Sequence, residues 1–235
     1  SDEGQVIEFR RQVRQRTATV DVLINCAGRL GAIGPVLETD SEEWLDTIKD
    51  NLFGTYLMVK HLVPLMTASS SPRVVNFSGG GAFGPFPNYS AYAVSKAAIV
   101  RLTETLAVEL APRGVAVNAV APGFVATEIH DATLAVGVKM AGEGYFQETT
   151  EKLSQGAVPM EVPVDCVRFL VSDQADGLTG KTLSASFDPW CTREFSQSIE
   201  EISQSDLYTM RRMNLVNIPE GSLRTSLEAA SRTTG

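Results

Sequence analysis

The chain has 235 residues, 43% of them hydrophobic and 20% charged, with a formal net charge of -8. Such a composition suits one globular domain with a substantial core, and the negative charge argues against a surface that neutralises phosphate backbones, so no nucleic-acid partner is expected. Cys26, Cys166 and Cys191 form no CxxC pair, which speaks against a disulfide framework or zinc site and for a reducing cytoplasm; no apolar run approaches the roughly 20 residues of a membrane span, so no membrane is expected either.

Residues 2–16 carry Val6, Ile7, Phe9 and Val13 at roughly helical spacing among charges, and the chain is expected to open inside a helix. VDVLIN, residues 20–25, is a short β-branched run of the kind that forms a buried parallel strand. Residues 41–67 begin with a cap-like DSEEW and space Trp44, Leu45, Ile48, Leu52, Tyr56 and Leu57 by threes and fours, which predicts one long helix. RVVNFS (73–78) reads as a second strand, 89–111 as a second long helix and VAVNAVA (115–121) as a third strand. Residues 123–160 are mixed and Gly-rich, which suggests a mobile flap over a site more than a core element. VPVDCVRFLVSD reads as a short helix and KTLSASF as a last strand; SDLYTMRRM offers a further helix start, and the Ser/Thr-rich tail beyond it is expected to be partly disordered. Strands alternating with helices imply a parallel sheet covered by helices. The domain expectation is an α/β body over 1–190 and an extension over 191–235.

In parallel α/β sheets ligands bind beyond the carboxyl ends of the strands. Here those ends read Asn25-Cys26-Ala27-Gly28, Ser78-Gly79-Gly80-Gly81 and Pro122-Gly123. Just after the second lies YSAYAVSK, with Tyr92 and Lys96 four residues apart and therefore on one helix face. A phenol titrates near pH 10; an ammonium about 4 Å away at an effective dielectric of about 20 would favour the phenolate by roughly 4 kcal/mol, about three pH units, before desolvation opposes it. Tyr92 could then exchange a proton near neutrality, as carbonyl reduction or alcohol oxidation requires. Spacing alone is weak evidence, because Tyr56 and Lys60 share it. Context separates them: Tyr92 sits among Ser90, Ala91, Ala93, Ser95 and Ala97, which let a cofactor approach, whereas Tyr56 sits among Leu52, Leu57 and Val59.

NCAG after a strand, NLFG in the next helix, NFSGGG, YSAYAVSK and VNAVAPGFVAT together resemble the short-chain dehydrogenase/reductase family over residues 15–190 at least. The resemblance implies a Rossmann-type three-layer α/β fold with a parallel sheet, and interconversion of a secondary alcohol and a ketone, small molecules both, with NAD or NADP. It assigns Tyr92 as general acid/base and Lys96 as the residue that lowers its pKa and holds the nicotinamide ribose. Ser78 would hydrogen-bond the substrate oxygen, and Asn51 would hold a helix kink and a proton-relay water. Asn25, Ala27 and Gly28 would support the sheet centre beside the adenosine side, while Pro122, Gly123 and Thr127 would contact the nicotinamide carboxamide. The helices at 41–67 and 89–111 resemble the family's subunit interface, so a homodimer or homotetramer is expected.

There are departures. The family's serine usually stands one position nearer the tyrosine than Ser78, where this chain has Gly79; a one-residue loop insertion or substitution by Ser90 would account for it. Phe187-Asp188-Pro189-Trp190 replaces the usual Asp-Gly-Gly turn. GGGAFG matches a dinucleotide fingerprint, but Pro85 and Pro87 delay the helix whose N-terminus should meet a pyrophosphate; its glycines are better read as room for close approach, with Phe83, Phe86 and Tyr89 lining a pocket or, for the two phenylalanines, simply filling the core. Cys26 is expected to be a buried small residue and Trp190 a packing residue, and neither His61 nor His130 has metal-ligand spacing. Relative to the family, the first strands and the glycine-rich turn, about two βα units or 60 residues, are expected upstream. The alternatives to a redox enzyme are a scaffold subunit that binds no dinucleotide, or a sugar-nucleotide epimerase or dehydratase using the same Tyr and Lys.

Overall fold

A computed structural model describes residues 1–212. Helix α1 (Glu3–Arg16) begins at Asp2, whose carboxylate accepts the Gln5 N–H, and is followed by strand β1 (Val22–Asn25). Next come α2 (Ser41–Ile48), a π-helical turn (Lys49–Phe53) and α3 (Gly54–Leu62). The expected single helix over 41–67 is thus three segments, and its cap is Asp40, whose side chain accepts from Glu43 N at 2.8 Å. Strand β2 (Arg73–Phe77), the 21-residue helix α4 (Ser90–Leu110) and strand β3 (Ala116–Ala121) follow the predicted order.

Residues 123–160 depart from the expected flap. They contain helices α5 (Asp131–Ala141) and α6 (Glu143–Gln155), hinged where Gly142 takes a φ of +83°. Ala141, Tyr145 and Phe146 pack against Leu30, Ile33, Phe86 and Tyr89, so this segment shares an apolar cluster with the body. Helix α7 (Glu161–Leu170) and strand β4 (Thr182–Ser184) complete the body, and α8 (Arg193–Gln197) and α9 (Ile199–Gln204) follow. The helix expected at SDLYTMRRM is absent over 205–212, because Tyr208 takes a left-handed φ of +59°; its last residue and the Ser/Thr-rich tail lie outside the described residues.

Among the described residues the sheet runs β1-β2-β3-β4, all parallel, with Leu23 beside Val74 and Val74 beside Val117. The two-residue period of a strand sends alternate side chains to opposite faces. Val74 and Val117 pack with Val59, Leu62 and Leu106 of α3 and α4, while Val75 and Val120 pack with Phe169, Leu170, Phe195 and Ile199 beneath α7 to α9. This is the three-layer α/β fold, and each fully buried Val or Leu stabilises it by about 1.5–3 kcal/mol. Trp190 belongs to the second face, its indole N–H donating to Ala185 O at 3.0 Å, as a packing residue should. Among the described residues no helix is long and apolar enough to cross a membrane.

Candidate active site

The carboxyl ends of β1, β2 and β3 meet the first turns of α4. Asn25 ends β1 buried; its amide donates to Asn76 Oδ1 at 2.9 Å, and Asn76 in turn donates to Thr103 Oγ1 at 3.0 Å, so a polar chain ties the sheet centre to α4. Cys26, Ala27 and Gly28 then emerge exposed. The expected burial of Cys26 fails because the chain leaves the sheet one residue earlier.

Asn51 sits buried in the π-helical turn, where the extra residue aims its side chain at the β1 loop. Its amide donates to Arg29 O at 2.9 Å and Ser95 Oγ at 3.0 Å, and its oxygen accepts Arg29 N at 2.9 Å. Ser95 passes the link to Tyr92 O at 2.7 Å. Asn51 therefore binds the β1 loop and the Tyr92 turn of α4 into one unit.

Tyr92 and Lys96 lie side by side, with the ammonium 5.6 Å from the ring centroid. Lys96 Nζ donates to Phe77 O at 2.9 Å, and a side chain at Gly28 would begin 3.2 Å from that ammonium and 3.3 Å from Asn51 Oδ1. The expected lowering of the Tyr92 pKa is not found. Burial pushes the phenol up to about 12 and the ammonium down to about 8. The ammonium is turned to a backbone carbonyl, so desolvation of the phenol outweighs its attraction.

Ser78 does not face the Tyr92 hydroxyl. It is buried, and its Oγ donates to Lys96 O at 3.2 Å. The residue facing Tyr92 is Gly79, where a side chain would begin 2.6 Å from Oη. The alternative, Ser90, accepts the Trp44 indole N–H at 3.0 Å instead. No inserted residue returns a serine to the tyrosine. At the end of β3, Gly123 has a φ of +81° and lies so close to Ser186 Oγ that a side chain would begin 2.8 Å from it. Pro122 beside it is half-buried, and Thr127 is exposed.

Gly79, which fills the serine's usual place in the sequence, is the residue opposite Tyr92. Two further contributors were missed from sequence. Ser95 carries no motif of its own. Tyr145 comes from the segment read as a flap; its ring meets Phe86 and Tyr89 edge-on at 4.6 and 4.9 Å, and burial pushes its phenol to about 12. Of the expected pocket-liners, Tyr89 is fully buried and bonded to Thr133 Oγ1 at 3.0 Å, whereas Phe83 is exposed rather than core. His61 pairs with Glu3 at 2.8 Å, and His130 stacks on Phe124 at 3.8 Å.

The sheet and its site define a Rossmann-type α/β protein. A family model described as Enoyl-(Acyl carrier protein) reductase matches residues 1–186. The chain belongs to the short-chain dehydrogenase/reductase family of oxidoreductases. It is 32% identical over 206 residues to a short chain dehydrogenase, citE, of Monascus ruber, covering 88% of this chain and 64% of that protein. It is 32% identical to the 3-oxoacyl-(acyl-carrier-protein) reductase of Staphylococcus epidermidis, covering 76% of this chain and 70% of that one. Among solved structures, NAD+-bound xylitol dehydrogenase matches with a TM-score of 0.68 and 28% identity over 78% of this chain and 74% of that one. The ligand-free aldohexose dehydrogenase of Thermoplasma acidophilum gives 0.68 and 28% over 78% and 72%.

Proposed function

We propose that this chain takes part in reducing a ketone to a secondary alcohol with NAD or NADP, Tyr92 donating the proton. The observation that carries this reading is a half-buried phenol, held protonated at neutral pH, beside a buried ammonium at the carboxyl ends of three parallel strands. The residues fit the nicotinamide end of a dinucleotide. Gly28 leaves bare backbone against Lys96 Nζ and Asn51, and Gly123 leaves bare backbone at the end of β3, both suited to close approach by a sugar and a carboxamide. Lys96 would hold the nicotinamide ribose, Ala27 and Gly28 would border the adenosine side above the buried Asn25, and Pro122, Gly123 and Thr127 would contact the carboxamide. When bound, the cofactor supplies the hydride.

Tyr92 Oη holds the proton that the carbonyl oxygen gains as negative charge develops on it. A phenol at about pH 12 is a competent donor to an alkoxide and a poor base, which favours reduction over oxidation at neutral pH. Lys96, positive below about pH 8, stabilises that developing charge. Asn51 and Ser95 fix the Tyr92 turn, and Ser78 fixes the carbonyl of Lys96, so both serines position rather than react.

The test is steady-state reduction of a panel of ketones with NADH and NADPH, alongside fluorescence titration of each nucleotide. Turnover that survives undiminished in Tyr92→Phe removes the proposal. A second reading, a non-catalytic subunit of an oligomer, is supported by Gly79, which has no hydroxyl, facing Tyr92 Oη. It predicts no turnover of any ketone. Exposed Phe53 and Tyr56 near the start of α3, with Val94 and Val108 on α4, support a second copy of the chain as a partner under either reading; a monomer by light scattering would exclude it.

A further inference from the structure

Phe83, on the loop after β2, is 57% exposed, and Phe187, on the loop after β4, is 88% exposed. Both line a cleft of about 350 Å³ together with Gly80, Ala121 and Gly123. Small residues beside two uncovered rings make this cleft a slot suited to a flat group. Gly80 adjoins Gly79, which faces the Tyr92 hydroxyl, so the slot opens beside the reacting end of the site.

Tyr208 and Thr209 form another wall, and the chain fixes them firmly. Thr182 N donates to Tyr208 O at 2.9 Å, extending the β4 edge. Lys181 Nζ holds Ser205 O at 2.6 Å, while Met210 N and Arg211 Nη1 bond the two oxygens of buried Glu104 on α4 at 2.6 and 3.0 Å. The wall is therefore built onto the helix that bears Tyr92.

The slot also has a polar side. Thr182 is 5% exposed, and its Oγ1 is buried with no hydrogen-bond partner among the described residues. An unsatisfied buried hydroxyl destabilises the fold, a loss that a ligand hydroxyl could offset. Asp188, accepting the Ser184 N–H at 2.6 Å, adds a carboxylate that welcomes a hydroxyl donor and repels an anionic tail.

We propose that this slot is the distal subsite for the substrate and takes a ketone bearing a flat, hydroxylated aromatic ring. The ring lies between Phe83 and Phe187, and its hydroxyl meets Thr182 and Asp188. The inference rests on the reduction reading for placing the carbonyl at Tyr92, but the subsite can be tested without turnover.

The experiment titrates acetylnaphthalene, its phenolic hydroxy derivative and a straight-chain methyl ketone against the full chain by fluorescence quenching and competition. The hydroxylated probe should bind tightest. Phe83→Ala and Phe187→Ala, which touch only exposed rings, should each weaken both naphthyl probes about fivefold. Thr182→Val should erase the advantage of the hydroxylated probe, itself about fivefold. Unchanged affinities in all three variants overturn the subsite. In Tyr92→Phe the probes should still bind while reduction stops; if instead reduction continues and the phenylalanine effects persist, the subsite stands and the proton-donor assignment falls.

Discussion

Tyr56 and Lys60 on α3 repeat the spacing of Tyr92 and Lys96 on α4, and the ammonium-to-ring distances nearly agree, at 5.9 and 5.6 Å. Beyond that they diverge. Lys60 is exposed and bonds Glu3 at 2.7 Å, which raises its pKa. Lys96 has no carboxylate partner among the described residues, donates to a backbone carbonyl, and is driven down to about 8 by burial. Helical spacing makes two side chains neighbours; the dielectric around them decides whether they carry chemistry.

The largest effect that would break this contrast is loss of the proton donor. Tyr92→Phe should lower kcat/KM for ketone reduction by at least about 100-fold, while Tyr56→Phe leaves it unchanged; equal losses in steady-state assays would erase the distinction. The pH profile comes next. Lys96 is charged below its pKa and neutral above it, so reduction should fall as pH rises through about 8, by up to about tenfold per pH unit. Lys60→Ala should leave that inflection in place, since Lys60 titrates far above it.

Smaller effects sharpen the comparison. Gly79→Ala places a methyl 2.6 Å from Tyr92 Oη and should displace the phenol, lowering kcat/KM and costing about 1–3 kcal/mol in urea denaturation. Ser78→Ala removes only the bond to Lys96 O, so it should cost about 1 kcal/mol of stability and leave kcat/KM within about threefold. The smallest is Glu3→Gln, which breaks the exposed pair with Lys60 but keeps an oxygen that can bond the buried His61, and should leave turnover unmoved and Tm nearly so.

The strands were legible because VLIN, RVVNF and AVNAVA are apolar runs bounded by turns, and parallel sheets need such runs. Tyr92, Lys96 and Asn51 stand out in the sequence through motif and context together, and the fold gathers them at the strand ends. Helices α5 and α6 were hidden because Gly137, Gly142 and Gly156 punctuate a stretch whose apolar residues meet their partners only in three dimensions. Ser78 was misplaced for a different reason. Successive strand residues point to opposite faces, so a shift of one position turned its hydroxyl into α4 and left Gly79 opposite the phenol. The direction of the Tyr92 shift was missed because a pairwise distance says nothing about what encloses the pair.

The turn at Lys49–Phe53, closed by Gly54 N donating to Lys49 O, contains one residue more than an α-helix would use. One residue is about 100° of rotation, so α2 and α3 are out of phase with each other by that angle. Deleting a residue there would mend the helix and spoil the protein. Local regularity would improve, yet Val59 and Leu62 would swing off the sheet, or Asn51 would leave Arg29 and Ser95. The irregularity acts as a phase shifter, allowing one continuous rod to keep one appointment with the core and another with the site.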